Sequence, residues 1–300
     1  MKALICYNPK SGKQKFNKNL EYIKSTLHTK YDLVDVYETT GVGSLTTYLK
    51  EVAKNYDFIL FSGGDGTFNE VITGVIEANA KPKLGYIPGG TCNDIGSMLK
   101  IPHNIKKALK LILNEEAVEM DICKADEKYF AYVFGIGKFI DISYTTPSKL
   151  KHYFGRIAYF YSGFKEFLQK IKMHVEIDTP VTSVKGGYYV VLGLNSNHVA
   201  GFKIFRKKQV KLNDGHFDLT LIQKKGVSWP RLFMFMLLGD LALKYGITTI
   251  TTNEVKLKFA EPLSCNTDGE FAFRKSGCEI KCLPKAIKIV VPKKTKDKFF

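Results

Sequence analysis

A glycine-rich turn after Phe58 contains the residue types that bind phosphate. The segment reads Phe-Ile-Leu-Phe-Ser-Gly-Gly-Asp-Gly-Thr-Phe-Asn-Glu-Val, an apolar run that ends in glycines around an aspartate and leads into a helical pattern. Glycine lets backbone N–H groups approach an anion closely, and a helix N-terminus adds N–H groups and a positive dipole end. A tight strand-to-helix turn would explain the glycines alone. It would not explain the crowding of Asp65, Thr67, Asn69 and Glu70, which indicates a phosphate site.

Two further loops place polar groups after predicted strands. One loop, residues 88–94, follows the fourth strand and includes Thr91. The other follows the first strand and contains Asn8, Pro9, Lys10, Ser11 and Gly12. Each loop by itself is typical of an ordinary turn or helix cap. Three glycine-bearing loops at the carboxyl edge of one parallel sheet are expected to converge on one phosphate-rich ligand, because such sheets bind ligands at that edge.

Two common nucleotide-binding motifs do not fit this chain. The dinucleotide-binding fingerprint fails because Asn69 stands where its third glycine should be. The phosphate loop G-x-x-x-x-G-K-[ST] does not occur in the sequence. The glycine-rich turn therefore belongs to a different class of phosphate site.

Strands and helices alternate in the first 120 residues. Apolar runs and helical periodicity predict strands at 2–7, 31–37, 57–61 and 84–87, and helices at 16–27, 44–54, 67–77, 92–99 and 104–113. Such alternation requires crossover helices on a mainly parallel sheet. We therefore predict an α/β domain with a mainly parallel sheet over residues 1–122.

The pattern changes after residue 122. We predict strands at 128–137, 181–195, 217–222, 253–259, 271–273, 278–283 and 286–291, and helices at 149–170 and 229–243. Turn sequences at Asn213-Asp214-Gly215 and Thr267-Asp268-Gly269 are typical of antiparallel hairpins. The sequence thus predicts a β-rich, sandwich-like second domain over residues 123–300, with a C-terminal tail that could return to the first domain.

Composition excludes several classes of protein. Hydrophobic residues make up 45% and charged residues 25% of the 300 residues, which argues against disorder. No run approaches the roughly 18 apolar residues that a membrane-spanning helix needs. The six cysteines lack metal-ligand spacing, and Cys278 and Cys282 in a predicted strand are expected to be buried thiols. We expect a cytoplasmic protein.

Positive charge is concentrated in the second domain. Residues 1–120 carry 15 Lys and Arg against 13 Asp and Glu, a net charge of +2, whereas residues 121–300 carry 30 against 16, a net charge of +14. This asymmetry indicates an anionic partner, either a nucleic acid or a membrane surface. Nucleic-acid binding would explain the charge but none of the glycine-rich loops, so no nucleic-acid partner is expected.

The motifs together resemble one enzyme family. The patterns N-P-x-S-G-K, G-G-D-G-T-x-N-E-V and P-x-G-T-x-N-D occur in this order, and Asp268-Gly269-Glu270 follows them. In this arrangement the chain resembles the diacylglycerol kinase catalytic-domain family of soluble lipid kinases, from Met1 to about Val291. The resemblance implies an α/β nucleotide domain, then a β-rich domain, with ATP and Mg²⁺. The segment Asn93-Asp94-Ile95-Gly96 departs from the family pattern, which affects local packing and lipid preference.

The resemblance also implies residue roles. Asp65 is either a ribose contact or a Mg²⁺ partner, and the sequence leaves this open. A carboxylate must accept the proton of the acceptor alcohol, which points to Glu270, with Asp268 holding metal or sharing that role. Without the resemblance, this triplet is typical of a hairpin turn. ATP contacts are expected at Asn8, Pro9, Lys10, Ser11, Gly12, Thr39, Gly64, Asp65, Gly66, Thr67, Phe68, Asn69, Glu70 and Thr91.

A structural Mg²⁺ is a further implication of the resemblance. Its ligands would be the carbonyl groups of Lys211 and His216 and the carboxylate of Asp214. An oxygen-only shell of this kind suits a hard cation. The alternative is a solvent-exposed Asp-Gly turn.

Two other functions are weaker interpretations of the same residues. NAD kinases share the G-G-D-G-T turn, but their Asn-Glu pair is a separate downstream motif, whereas Asn69-Glu70 is fused to the turn here. A non-catalytic lipid-binding regulator would have a decayed kinase site. That interpretation is disfavoured by the intact polar residues Asp65, Thr91, Asp94, Asp268 and Glu270.

The sequence therefore predicts a lipid kinase that transfers the γ-phosphate of ATP to a lipid alcohol. Diacylglycerol, giving phosphatidic acid, is the first expectation, while ceramide and sphingoid bases stay open. The enzyme would serve phospholipid biosynthesis and bind peripherally to an anionic membrane surface through its basic domain. The oligomeric state is open, with a homodimer as one option.

Overall fold

The computed structural model describes residues 1–9, 16–90, 93–137, 173–196, 198–199, 202–203, 210–223 and 247–300. These residues form a mixed α/β fold, as predicted, and thirteen of the strands belong to one sheet. They divide into two compact units. The first contains Met1–Ile122, Lys211–Asp214 and Pro284–Phe300, and the second contains Cys123–Val210 and Gly215–Leu283. The helices predicted at 149–170 and 229–243 lie outside the described residues.

The first unit is built on parallel strands. They are β1 (Lys2–Tyr7), β2 (Leu33–Glu38), β3 (Phe58–Gly63) and β4 (Lys83–Pro88). Their order is β2-β1-β3-β4, and each neighbouring pair is parallel. Parallel neighbours can be joined only by crossover connections, which is why helical segments separate these strands in the sequence.

Helices of the first unit fill those connections. Each helix predicted in residues 1–122 is present, with ends shifted by a few residues. They are α1 (Leu20–Leu27), α2 (Ser44–Val52), α3 (Asp65–Glu77), α4 (Asp94–Met98) and α5 (Ile105–Asn114), with α6 (Lys293–Phe299) near the C-terminus and short 3₁₀ turns at Asn17–Asn19 and Ala53–Asn55. Helix α3 begins at Asp65, earlier than predicted, because Gly64 is its extended N-cap residue.

The strands of the second unit pair in the antiparallel direction. The remaining strands are β5 (Ala117–Ala125), β6 (Lys128–Phe130), β7 (Val133–Gly137), β8 (Met173–Asp178), β9 (Ser183–Leu194), β10 (His198–Val199), β11 (Phe202–Lys203), β12 (Phe217–Gln223), β13 (Ile247–Thr252), β14 (Glu254–Thr267) and β15 (Glu270–Val290). Strands β5 and β15 also enter the first unit, where the end of β15 pairs in parallel with β4. Strand β8 pairs with both β9 and β14.

Three strands predicted in this part of the chain are present, but the breaks predicted between them are absent from the described residues. The strands predicted at 271–273, 278–283 and 286–291 are one continuous strand, β15. A Cβ atom at Gly277 would lie 2.5 Å from the carbonyl oxygen of Leu257. This glycine therefore permits a close approach of two strands rather than a turn. Strands β5, β8 and β13 were not predicted.

Apolar side chains form a buried cluster within the second unit, and two predicted thiols belong to it. Cys278 and Cys282 are each 8% exposed and are not in disulfides, as expected. A hydrogen bond with Cys265 and burial together raise the pKa of Cys278. Within the part of the chain that the structure describes, no helix has the length and apolarity to cross a bilayer.

Candidate functional site

The loops that follow β1 to β4 leave the sheet at one edge. Tyr7 at the end of β1 pairs with Glu38 of β2 and Ser62 of β3. Gly63 at the end of β3 pairs with Pro88 of β4. Because the strands are parallel and their ends are level, four loops begin side by side. The order along the edge is the loop after β2, then those after β1, β3 and β4.

Glycines in the turn after β3 have different structural roles. A Cβ at Gly63 would lie 2.4 Å from the Cβ of Thr67, so the packing of Thr67 requires glycine there. A Cβ at Gly66 would meet no atom within 4 Å. The fold therefore gives no reason for glycine at Gly66, whereas a ligand that approaches the N-terminus of α3 closely would give one.

The turn after β4 packs against the turn after β3. A Cβ at Gly90 would lie 2.4 Å from the Cα of Gly64, so the two backbones touch. The carbonyl of Gly63 accepts hydrogen bonds from the Gly89 N–H at 2.8 Å and the Tyr86 hydroxyl at 3.0 Å. Two of the glycine-rich turns therefore form one continuous backbone surface.

Asp65 joins these two turns. Its carboxylate accepts hydrogen bonds from the backbone N–H groups of Asp94 and Ile95, at 3.0 and 3.1 Å. Burial raises the pKa of Asp65, and the N–H groups of Asp94, Ile95 and Asn93 oppose that rise. The carboxylate thus caps α4. The ribose or Mg²⁺ role of Asp65 stays a prediction.

Asn93 shapes the start of α4. Its backbone is left-handed, with φ of 53°, a conformation that Asn tolerates better than most residues. Its side chain accepts from the Gly90 N–H at 2.8 Å and donates to the Gly90 carbonyl at 2.6 Å. The motif residue Asn93 therefore holds the glycine turn in place.

The loop after β2 is a fourth component of the site. The hydroxyl of Ser44 accepts the N–H groups of Thr40 and Gly41, at 3.2 and 3.3 Å, and donates to the Gly41 carbonyl at 2.7 Å. The Thr39 N–H donates to the carbonyl of Tyr7 at 3.0 Å. Sequence reasoning identified only Thr39 in this loop. The missed signal was a fourth glycine-bearing strand-to-helix connection at the same sheet edge, with Gly41 and Gly43.

Glu70 connects α3 to the first turn of α2, which follows that loop. Its carboxylate accepts the backbone N–H of Leu45 at 3.2 Å, and its carbonyl accepts the hydroxyl of Thr46 at 3.1 Å. An open concavity of about 180 Å³ lies here. Its walls are residues Thr39 to Val42, Asn8, Thr67 and Glu70.

The other predicted ATP contacts have varied surroundings. Phe68 is fully buried, its ring packs on Phe61 and Tyr86, and its N–H donates to the Gly64 carbonyl, so the structure gives this side chain a packing role. Asn69 lies on α3 and accepts the Thr73 hydroxyl at 3.5 Å. Pro9 follows Asn8 directly and is half-buried. The predicted contacts outside the described residues are Lys10, Ser11, Gly12 and Thr91.

Tyr7 anchors the end of β1 below the site. Its hydroxyl donates to a Glu38 carboxylate oxygen and lies 3.4 Å from the Asn17 side-chain oxygen. Its ring packs on that of Phe16 with the centroids 5.1 Å apart. Burial, followed by the hydrogen bond to Glu38, raises the pKa of Tyr7 to about 12. This residue ties β1 to β2 immediately before Asn8.

The two candidate base residues lie on a hairpin of the second unit. Asp268 and Gly269 have φ of 51° and 83° and form a two-residue turn between the paired residues Thr267 and Glu270. The hairpin interpretation of this triplet is therefore confirmed. Positive φ at both positions is typical of the tightest hairpin turns.

The two carboxylates of this hairpin differ in environment. The buried Asp268 carboxylate accepts three backbone N–H groups, from Ala131 at 2.8 Å, Tyr132 at 3.0 Å and Val133 at 3.1 Å. Glu270 is exposed at the start of β15. Asp268 is thus engaged with the β6–β7 connection, whereas the Glu270 side chain is exposed to solvent.

The predicted metal loop precedes β12. Gly215 has φ of 75°, and Asp214 and His216 are exposed. Among the described residues, no three His, Cys, Asp or Glu side chains cluster as a metal site. A cation here would accordingly need main-chain carbonyl oxygens beside the Asp214 carboxylate, a donor set that suits Mg²⁺.

Comparisons with known proteins agree on one family. The family model for the diacylglycerol kinase catalytic domain matches residues 2–125. A diacylglycerol kinase from Bacillus subtilis is 33% identical over 295 residues, which cover 97% of each chain. One from Staphylococcus aureus is 33% identical over 274 residues, covering 90% of this chain and 86% of the relative.

Solved structures show the same relationship. A crystal structure from Bacillus anthracis, assigned to the diacylglycerol kinases, superposes with a TM-score of 0.84 at 27% sequence identity. The superposition covers 98% of this chain and 96% of that chain. The similarity therefore extends well beyond the N-terminal motifs.

Proposed function

Since this chain belongs to the diacylglycerol kinase family, we propose that it phosphorylates diacylglycerol to phosphatidic acid. It is an ATP-dependent lipid kinase. We place the ATP site at the edge of the sheet where the turns after β3 and β4 touch through Gly64 and Gly90, and this contact is the main support for the proposal. A backbone surface of this kind, next to a helix N-terminus, suits the polyphosphate of ATP.

The first turn of α3 is the proposed binding site for the phosphates of ATP. N–H groups in the first turn of a helix have no partner within the helix, and the dipole of α3 favours an anion there. The open space beside Gly66 supports this position, because a larger residue would obstruct a ligand without disturbing the fold. Thr67 and Asn8 would contribute polar side chains.

Glu270 is the proposed general base. The substrate hydroxyl oxygen attacks the γ-phosphorus, its proton passes to the Glu270 carboxylate, and the bond from the γ-phosphorus to the bridging oxygen breaks so that ADP leaves with the electron pair. Exposure of Glu270 supports this role. Asp268 is proposed as a positioning residue, because its carboxylate already accepts three backbone N–H groups.

Mg²⁺ is proposed at two places. Bound to ATP, it would neutralise charge on the phosphates. A structural ion would be held by the Asp214 carboxylate and the carbonyl groups of Lys211 and His216, since oxygen donors alone suit this cation. The positive φ of Gly215 supports a tight turn of the chain between these donors.

The basic part of the chain is proposed to hold the enzyme on an anionic membrane. Residues 121–300 carry a net charge of +14, and each suitably placed Lys or Arg contributes about 1 kcal/mol near such a surface. Binding to phosphatidylglycerol vesicles should weaken with salt, because this attraction is screened within ~8 Å at physiological ionic strength. Sedimentation with vesicles that does not respond to salt would contradict the proposal.

Transfer of ³²P from γ-labelled ATP tests the proposed reaction. Diacylglycerol and ceramide are offered in separate mixed micelles and NAD in solution, each with wild type and Glu270→Gln. Label in phosphatidic acid, lost in Glu270→Gln, is the expected result. Label in ceramide would change the substrate, and label in NAD would contradict the lipid acceptor.

A further inference from the structure

The loop after β2 presents one apolar side chain to the concavity. Val42 lines it and has a relative exposure of 103%, so the side chain contributes almost nothing to the packing of the fold. Isolated exposed apolar residues are common on protein surfaces. This one differs because it stands at the wall of the nucleotide site rather than on an open face.

The backbone on both sides of Val42 is held in a defined conformation. Ser44 bonds to Thr40 and Gly41 through its hydroxyl. Gly43 has φ of 82° and directly precedes α2. The Val42 side chain is therefore presented on a hydrogen-bonded turn that forms without any contribution from it.

Among the described residues, the charged groups at the β2 end of the concavity are carboxylates, which favours a neutral group over a phosphate at that end. The described walls of the concavity contain the Glu70 carboxylate and no Lys or Arg. Glu38, the last residue of β2, adds a second carboxylate beside the loop. Two carboxylates would repel a polyphosphate at this end, whereas the flat apolar face of a base would meet no such repulsion.

The strand order also places the phosphates and the base at different ends of the sheet edge. The phosphate-suited turns follow β3 and β4, and the loop of Val42 follows β2 at the other end of the edge, with β1 between. A nucleotide is an elongated ligand with a charged end and an apolar end. If its phosphates bind at the turns after β3 and β4, its base reaches the β2 end of the edge.

We propose that the nucleotide base lies against the Val42 side chain, so that Val42 determines how strongly the enzyme prefers a nucleotide to a bare polyphosphate. This inference rests on the proposed function, because it takes the phosphates to be at α3. The two methyl groups of Val42 would lose contact with water when a base covers them, which is favourable for an apolar surface.

Calorimetric titration with ADP and with inorganic pyrophosphate separates the base from the phosphates. Both ligands are titrated in Mg²⁺ into wild type, Val42→Ala and Val42→Phe. We expect Val42→Ala to weaken ADP binding about five- to fifteenfold, the upper figure corresponding to full burial of the two lost carbons, and to leave pyrophosphate binding within twofold. Val42→Phe retains an apolar surface and should bind ADP at least as tightly as wild type.

Val181→Ala is the matched control. Val181 is also an exposed valine, at 80%, and lies between β8 and β9 in the second unit. The same change there should leave both affinities unaltered. Thermal unfolding of the three variants should match wild type, since neither valine is buried.

Two results would overturn this inference without contradicting the proposed function. One is ADP binding that Val42→Ala leaves unchanged, and the other is an equal loss of ADP and pyrophosphate affinity, which would mean that Val42 acts through the phosphates. Wild type that binds neither ligand would overturn the proposed nucleotide site together with this inference.

Discussion

The carboxylate of Asp65 accepts the backbone N–H of Asp94 at a distance of 3.0 Å. This bond links the first residue of α3 to the first residue of α4. The two helices follow different strands, so one side chain fixes the spacing of two phosphate-suited turns. A motif aspartate with this geometry organises the site whether or not it also touches the ligand.

Replacing Asp65 with Asn should loosen both turns. An amide nitrogen cannot accept, so the N–H of Asp94 or Ile95 would lose its acceptor. We expect the free energy of unfolding to fall by about 1–3 kcal/mol and the KM for ATP to rise. Urea denaturation and steady-state kinetics measure the two effects. Asp32→Asn, the same change at the exposed ion pair with the N-terminus, should alter neither. Unchanged stability in Asp65→Asn would contradict the capping role.

Alanine substitutions at Gly90 and Gly66 should separate packing from ligand binding. A Cβ at Gly90 would lie 2.4 Å from the Cα of Gly64, so Gly90→Ala should lower the free energy of unfolding by about 1–3 kcal/mol. A Cβ at Gly66 meets no atom within 4 Å. Gly66→Ala should therefore raise stability by about 0.4–1 kcal/mol while weakening ATP binding at least tenfold.

Chemical denaturation and ATP titration of the two glycine variants give the comparison. We expect the free energy of unfolding to fall in Gly90→Ala and to rise in Gly66→Ala. Equal ATP affinity in Gly66→Ala and wild type would show that no ligand approaches this position closely.

Local pattern predicted β1 to β4 and α1 to α5 well, because each is a short element with its own periodicity. Local pattern failed at β15, which has 21 residues. Glycine often marks a turn, but Gly277 instead lets the strand pass close to Leu257. The Val42 loop was missed for a related reason. Its residues carry no charged motif, and only the order of the strands places them beside Glu70.

Loss of the Glu270 carboxylate should affect turnover rather than nucleotide binding. Gln has nearly the same shape but cannot accept the proton, so Glu270→Gln should lower kcat by at least ~10²-fold with an unchanged Kd for ATP. Single-turnover phosphorylation and ATP titration measure the two quantities. Glu261→Gln, at an exposed position on β14, should be as active as wild type. Full activity in Glu270→Gln would remove this residue from the base role.

Asp268→Asn should act mainly on stability. Its carboxylate accepts three backbone N–H groups while buried, and an amide can satisfy fewer of them. We expect the free energy of unfolding to fall by about 1–3 kcal/mol, with the residual kcat well above that of Glu270→Gln. A stable Asp268→Asn protein with no turnover would instead make Asp268 the base.

Tyr7→Phe should show a stability loss that depends on pH. The variant lacks the hydrogen bond to Glu38, which should cost about 1 kcal/mol at pH 8. Because the pKa of Tyr7 is raised from 10.0 to about 12 in the folded protein, its contribution is complete below pH 10 and declines as the pH rises towards 12. The difference between wild type and Tyr7→Phe should therefore shrink between pH 10 and 11. Urea denaturation at pH 8, 10 and 11 measures it, and Tyr22→Phe, at an exposed tyrosine, serves as the control. A difference that stays constant over this range would mean that the pKa of Tyr7 is not raised in the folded protein.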